Sequence, residues 1–102
     1  MKKQQICILG STGSIGTQAL DVVRQHRDRY EIYCLTAHRQ VELLAQQARE
    51  FQPAAVVIAD ETRYEALKAL LADAPDIKVY AGAAALEQIV TEIETGELPL
   101  AD

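Results

Sequence analysis

A chain of 102 residues, 49% hydrophobic and 25% charged, is long enough for one domain with a real core and lacks the compositional signature of disorder. Its net charge of −5 argues against a nucleic-acid partner, because affinity for a phosphate backbone needs a basic face. No apolar stretch approaches a membrane span, and Met1-Lys2-Lys3 runs directly into an apolar segment with no room for a signal peptide, so the expectation is a cytoplasmic protein without a membrane partner.

The first element is an apolar run, Ile6 to Leu9, which reads as a strand buried on both faces. It empties into Gly10, Gly13 and Gly16, three glycines spaced three apart. Gly10 permits a sharp reversal, Gly13 offers bare backbone to a ligand, and Gly16 lets the following helix lie close to the strand. Ser11, Thr12 and Ser14 add hydroxyls and candidate N-caps, and the unpaired amides of a first helical turn favour an anion. Strand, glycine turn and helix together make a phosphate cradle. The spacing is G-x-x-G-x-x-G rather than G-x-G-x-x-G, and no Gly-Lys-Ser/Thr follows as a Walker A loop would require.

Ile15, Ala19, Val22, Val23 and His26 recur at helical spacing and predict a crossover helix to about His26 with these residues inward. Tyr30 to Thr36 is the second strand and 37–40 its carboxyl-end turn. Val41, Leu44, Ala48 and Phe51 mark a second helix closed by Gln52-Pro53; Ala54 to Ala59 is a wholly apolar third strand. Asp60 or Thr62 caps the third helix, Thr62 to Glu65 having the capping-box pattern, with Tyr64, Leu67 and Leu71 inward. After the turn Asp73 to Asp76, Ile77 to Tyr80 is a shorter strand. Leu86, Ile89, Val90 and Ile93 form the stripe of a last helix ending near Gly96. Cys7 and Cys34 fall within strands without C-x-x-C spacing and read as buried thiols.

Four strand–helix units predict a Rossmann-like α/β fold: an open parallel sheet in the order 3-2-1-4 with helices on both faces, the ligand at the carboxyl ends of the strands. Residues 1–96 form the binding domain and 97–102 a tail. With one strand after the reversal point, the expectation is a module cut from a longer chain, with an apolar edge exposed beside the fourth strand and prone to self-association.

The turn after the second strand approaches the adenosine ribose in such a site, and a carboxylate there selects NAD. Between Leu35 and Val41 the chain has no carboxylate but does have His38 and Arg39, which favours NADP through a guanidinium on the 2′-phosphate. Asp60 and Glu61 are explained as caps, and Glu92, Glu94 and Glu97 as a solvated face. No catalytic triad or metal-ligand set is defensible.

Leu9-Gly10-Ser11-Thr12-Gly13-Ser14-Ile15-Gly16, followed by Leu20-Asp21-Val22-Val23-Arg24, closely resembles the opening of the 1-deoxy-D-xylulose 5-phosphate reductoisomerase family, and the likeness continues through Pro53 and through Lys78-Val79-Tyr80-Ala81-Gly82. The resemblance implies the NADPH-binding portion of an enzyme of non-mevalonate isoprenoid biosynthesis. That enzyme rearranges and reduces 1-deoxy-D-xylulose 5-phosphate to 2-C-methyl-D-erythritol 4-phosphate with a divalent metal, Mg2+ or Mn2+, as a homodimer. It further implies that Thr12, Gly13, Ser14 and Ile15 hold the diphosphate, with Gly10 and Ser11 in the same cofactor-binding loop, and that His38, Arg39 and Gln40, with Ala37 just before them, read the 2′-phosphate end. His38 and Gln40 depart from the family's common residues. Catalytic residues and metal ligands are expected beyond Asp102, so that this chain alone should not catalyse. Two alternatives stand beside this: another NADP-dependent dehydrogenase, short-chain or semialdehyde, for which a catalytic Tyr-x-x-x-Lys, expected to be absent here, is the discriminating feature, and a non-catalytic nucleotide-binding module.

Overall fold

Apolar runs alternating with amphipathic segments fold as strands alternating with helices. The computed structural model describes residues 3–94, with side chains through Ile89. In chain order the elements are β1 (Gln4–Ile8), α1 (Ser14–Gln25), β2 (Tyr30–Ala37), α2 (Val41–Phe51), β3 (Ala55–Ile58), a single 3-10 turn (Glu61–Arg63), α3 (Tyr64–Leu70), β4 (Lys78–Ala81) and α4 (Ala83–Glu94). The expected tail 97–102, the helix end near Gly96 and the inward roles of Val90 and Ile93 lie outside this description.

All strands are parallel, but their order is β1-β2-β3-β4, which corrects the expected 3-2-1-4. The reason lies in where the helices pack. Leu20 and Val23 of α1, Leu44 and Ala48 of α2, and Leu67 of α3 with Leu71 join one cluster with Ile6, Ile8, Leu35, Val56 and Ile58. Three crossovers of one hand over one face carry each new strand a step further in the same direction. A reversal would need the third crossover to change faces. Instead Lys78 donates its amide to Ala54 carbonyl oxygen at 3.0 Å and β4 pairs with β3. On the other face Ile89 of α4 packs with Cys7, Cys34, Ala55 and Val57, so helices do cover both faces. Both cysteines are buried and form no disulfide, as read from sequence. Tyr33 is an extra residue between Ile32 and Cys34, which pair with the adjacent Ile6 and Cys7, and this bulge gives β1 and β2 an irregular register.

The order leaves β1 and β4 as edges. Exposed large apolar side chains include Leu9 just after β1, Ile15 and Val22 of α1, and Tyr80 of the edge strand β4. The inward face of α1 is also corrected: Ile15, Val22 and His26 are exposed, and the buried stripe is Gly16, Leu20 and Val23. Val23 lies inward as expected and Ala19 packs on the core, but the expected Ile15 and Val22 each stand one residue before the buried Gly16 and Val23. α2 follows expectation, with Val41, Leu44 and Ala48 buried, and ends on Gln52 in the left-handed region at φ 50 before the buried Pro53. In the third helix Leu67 and Leu71 are buried. The Thr62 to Glu65 capping box does not form; the Asp60 side chain caps the 3-10 turn by accepting from the Thr62 amide.

The outer ends of α1 and α2 are tied by charge. Arg24 donates to both carboxylate oxygens of Glu50, at 2.5 and 2.8 Å, and the Arg24 and Arg27 guanidiniums lie 5.3 and 4.7 Å from the Phe51 ring centre. The Arg24 hydrogen bonds hold the Glu50 carboxyl below its usual range. Its contribution is therefore complete above the pKa of an unfolded glutamate, about 4.3, and is lost as pH falls through the lower folded value. Because the pair is exposed, Glu50→Gln should cost only about 0.5–1 kcal/mol at pH 7. Urea unfolding of the two proteins should give that gap at pH 7 and a narrowing one below about pH 4.

Candidate functional site

The cradle is built where β1 ends. Gly10 turns the chain at φ +73, a region costly for residues with a Cβ. The loop is then locked from two neighbours. Gly10 donates its amide to Thr36 Oγ1 at 3.0 Å and Ser11 donates its amide to the Thr36 carbonyl oxygen at 2.8 Å. Ser11 Oγ donates to Gln47 Oε1 at 2.7 Å, and Gln47 Nε2 donates to the Ser11 carbonyl oxygen at 2.9 Å. Among the described residues, Ser11, Thr36 and Gln47 are the buried polar ones, and each is satisfied. Ser11 thus serves the shape of the loop, its hydroxyl fully buried rather than turned to a ligand.

The other two glycines differ in role. A Cβ on Gly16 would overlap the Gly10 carbonyl and stand 2.7 Å from Ser11 Cα, so Gly16 is the close contact that seats α1 on the loop. A Cβ on Gly13 would meet only the Gly10 carbonyl oxygen, at 3.5 Å, so packing places no demand for glycine there. Gly13 is the N-cap of α1 and no side chain caps the helix, which corrects the reading of Ser11, Thr12 and Ser14 as caps. The first-turn amides of Ser14, Ile15 and Gly16 have no carbonyl one turn earlier within the helix, and the positive dipole end coincides with them. Thr12 is half-buried, whereas Gly13, Ser14 and Ile15 are exposed, Ile15 to 76%. This surface can receive an anion such as a diphosphate.

Beside it lies the end of β2. Ala37 is buried and its carbonyl oxygen accepts the Ala59 amide at 2.9 Å; His38, Arg39 and Gln40 are exposed. The His38 carbonyl oxygen accepts the Asp60 amide at 3.0 Å, which stitches the Arg39 turn to the end of β3. Arg39 Nε lies 3.5 Å from Asp60 Oδ2. Hydrogen bonds from Thr62, reinforced by Arg39 and Arg63, hold the Asp60 carboxyl below its usual range, so it is an anion at neutral pH. The ends of three adjacent strands thus bring together the cradle, the Arg39 turn and Asp60.

Sequence reading missed Thr36, Gln47 and the pairing of Asp60 with Arg39. Gln47 was findable: it follows Leu44 by three residues and precedes Ala48 by one, a polar residue on an otherwise apolar helix face. The Asp60 pairing joins residues 21 positions apart and depends on strand neighbours that sequence does not order.

The expected absence of a Tyr-x-x-x-Lys spacing is corrected by Tyr64 and Lys68. There Lys68 Nζ lies 5.5 Å from the Tyr64 ring centre, a cation–π contact, and both residues line a hollow between α3 and β4 that includes no cradle residue. A second hollow, about 220 Å³, lies over the amino ends of β3 and β4 among Tyr33, Lys78, Tyr80 and Ala85, away from the carboxyl ends where open sheets of this type bind ligands. No group of three His, Cys, Asp or Glu among the described residues could hold a metal ion. No described helix is long and apolar enough to cross a membrane.

Residues 6–98 match the family model described as 1-deoxy-D-xylulose 5-phosphate reductoisomerase. A protein of that name from Bacteroides fragilis is 63% identical over 90 residues, covering 88% of this chain and 23% of the relative, and one from Agrobacterium fabrum is 55% identical over 87. The solved reductoisomerase of Zymomonas mobilis in complex with NADPH superposes with a TM-score of 0.80 at 40% identity, over 83% of this chain and 22% of its own. Another solved reductoisomerase, in complex with NADPH, fosmidomycin and magnesium, gives 0.76 at 37% identity, over 81% of this chain and 20% of its own. The chain spans about a quarter of the length of the curated relatives.

The packing of Gly16 sets a test of the loop. Gly16→Ala should destabilise the protein by about 2–4 kcal/mol, because rigid backbone on the other side must move; thermal and urea unfolding would show it directly.

Proposed function

Since this chain belongs to the 1-deoxy-D-xylulose 5-phosphate reductoisomerase family, we propose that it binds NADPH for that enzyme's reductive step. The observation that carries the reading is the uncapped glycine cradle standing next to the Arg39 turn, in a chain 40% identical to a reductoisomerase solved with NADPH. The amides around Thr12, Gly13, Ser14 and Ile15 receive the diphosphate, with Gly10 and Ser11 shaping the loop behind them. His38, Arg39 and Gln40, set by the buried Ala37, receive the adenosine 2′-phosphate. NADPH supplies a hydride when bound; the work of this chain is to place it.

The complete protein would isomerise 1-deoxy-D-xylulose 5-phosphate and reduce it to 2-C-methyl-D-erythritol 4-phosphate in isoprenoid biosynthesis. It would do so as a cytoplasmic homodimer, without nucleic-acid or membrane partners. The binding unit covers residues 1–96, with 97–102 outside it. A divalent metal fits none of the side-chain groups described here, so no step is assigned to it on this chain. By the same measure the chain alone should not turn over substrate. Family membership weighs against a short-chain dehydrogenase, and so does the placing of Tyr64 and Lys68 outside the cradle.

Gly13 separates binding from folding, because a Cβ there meets nothing closer than the Gly10 carbonyl oxygen at 3.5 Å. Gly13→Val should leave the unfolding midpoint within about 1 kcal/mol of wild type, while abolishing calorimetric binding of both NADPH and NADH by blocking the diphosphate. Normal binding by this variant would refute the cradle.

Arg39 tests cofactor choice. Arg39→Ala should weaken NADPH by about 1.5–3 kcal/mol in the same titration and leave NADH nearly unchanged. Equal losses for the two would remove the 2′-phosphate from this turn.

A further inference from the structure

Where β2 and β3 end, three charged groups meet, of which only one has so far been given a role toward the cofactor. Asp60 Oδ1 accepts from the Thr62 amide at 3.0 Å and from Thr62 Oγ1 at 2.5 Å, which fixes the carboxylate. Its other oxygen, Oδ2, lies 3.5 Å from Arg39 Nε and 3.7 Å from Arg63 Nε. Two guanidiniums therefore share one carboxylate oxygen, and the trio carries a net positive charge. Neither contact has hydrogen-bond length. Arg63 Nε is itself buried and has no hydrogen-bond partner, although the side chain as a whole is 40% exposed.

We propose that Arg63 is the second cation of the 2′-phosphate subsite, with Asp60 as the positioning residue that holds Arg39 and Arg63 side by side. The inference rests on the NADPH reading above. A phosphate monoester carries about −1.5 to −2 charge near neutrality, which one guanidinium only partly matches and two match well. The ion-pair contacts to Asp60 are made through Nε of each arginine, and a guanidinium has further N–H donors on its two terminal nitrogens for the phosphate. The Asp60 amide bond to the His38 carbonyl oxygen keeps the two arginine-bearing segments in register. NADH, with a hydroxyl at this position, gains nothing from Arg63, so the residue sets cofactor preference rather than affinity for dinucleotides in general.

Calorimetric titration of the chain with NADPH, NADH and 2′,5′-ADP, at fixed ionic strength, tests this for wild type, Arg63→Gln, Arg63→Lys and Asp60→Asn. Arg63→Gln should weaken NADPH and 2′,5′-ADP about tenfold while NADH stays within about twofold, and Arg63→Lys should restore part of the loss. Asp60→Asn can keep the Thr62 bonds while removing the charge that gathers the arginines. It should weaken NADPH about threefold with NADH unchanged and the unfolding midpoint preserved. A wild type that binds NADPH no better than NADH, or binds neither, would overturn the cofactor reading and this inference together. A wild type that prefers NADPH, with Arg63→Gln keeping the full preference, would overturn the role of Arg63 alone. NADPH binding unchanged or tightened in Asp60→Asn would overturn the positioning role of Asp60.

Discussion

The hydrogen bonds that close on Ser11 are the constraint the rest of the site depends on. A loop leaving a buried strand carries polar backbone into a dry region, and each such group must find a partner there. Ser11 sits at that point with no exposure, and Thr36 and Gln47 satisfy it from the neighbouring strand and the next helix. Because the partners come from β2 and α2, the loop cannot shift without disturbing two other elements. Its outer side, from Gly13 onward, is thereby left rigid, uncapped and facing outward. Preorganised amides need no rearrangement to meet an anion, and this favours binding.

The same economy of partners governs the neighbouring turn. An arginine at a loop tip loses side-chain entropy on engaging a ligand, and a nearby carboxylate reduces that loss by restricting it beforehand. Asp60 does this without removing the positive charge of the region, since Arg63 stands on the same oxygen. A carboxylate near the adenosine ribose would ordinarily argue for NAD. In the proposed binding mode it comes from the end of β3 rather than β2 and faces two guanidiniums, so its charge is spent on them.

Which parts of this were legible beforehand follows from the range of the interactions. The strand–glycine–helix order, the helical stripes of α2 and α3 and the basic turn are local, carried by residues within a few positions of each other. The stripe of α1 was read in part, with Val23 inward as it is, but Ile15 and Val22 were taken inward although they lie exposed. The error came from anchoring the face on Ile15, while the contact that orients the helix is made by Gly16, which no hydrophobicity pattern counts. Strand order was illegible for another reason. Each crossover has a known hand but not a known face, and the short α3 packing with α1 and α2 in one cluster is what sends β4 to the far side of β3.

The three glycines show how one motif can contain unlike constraints. Gly10 is required by its backbone angle, Gly16 by a carbonyl and a Cα against its hydrogen atoms, and Gly13 by neither. A residue whose glycine identity the folded chain does not need is explained by something outside the fold, and open space at an uncapped helix end specifies what kind of thing: a ligand that comes close to backbone and carries negative charge. On the proposed function, the positions that make the loop fold and the position that makes it bind are therefore separable, three residues apart, and substitutions at Gly16 and Gly13 report on different free energies.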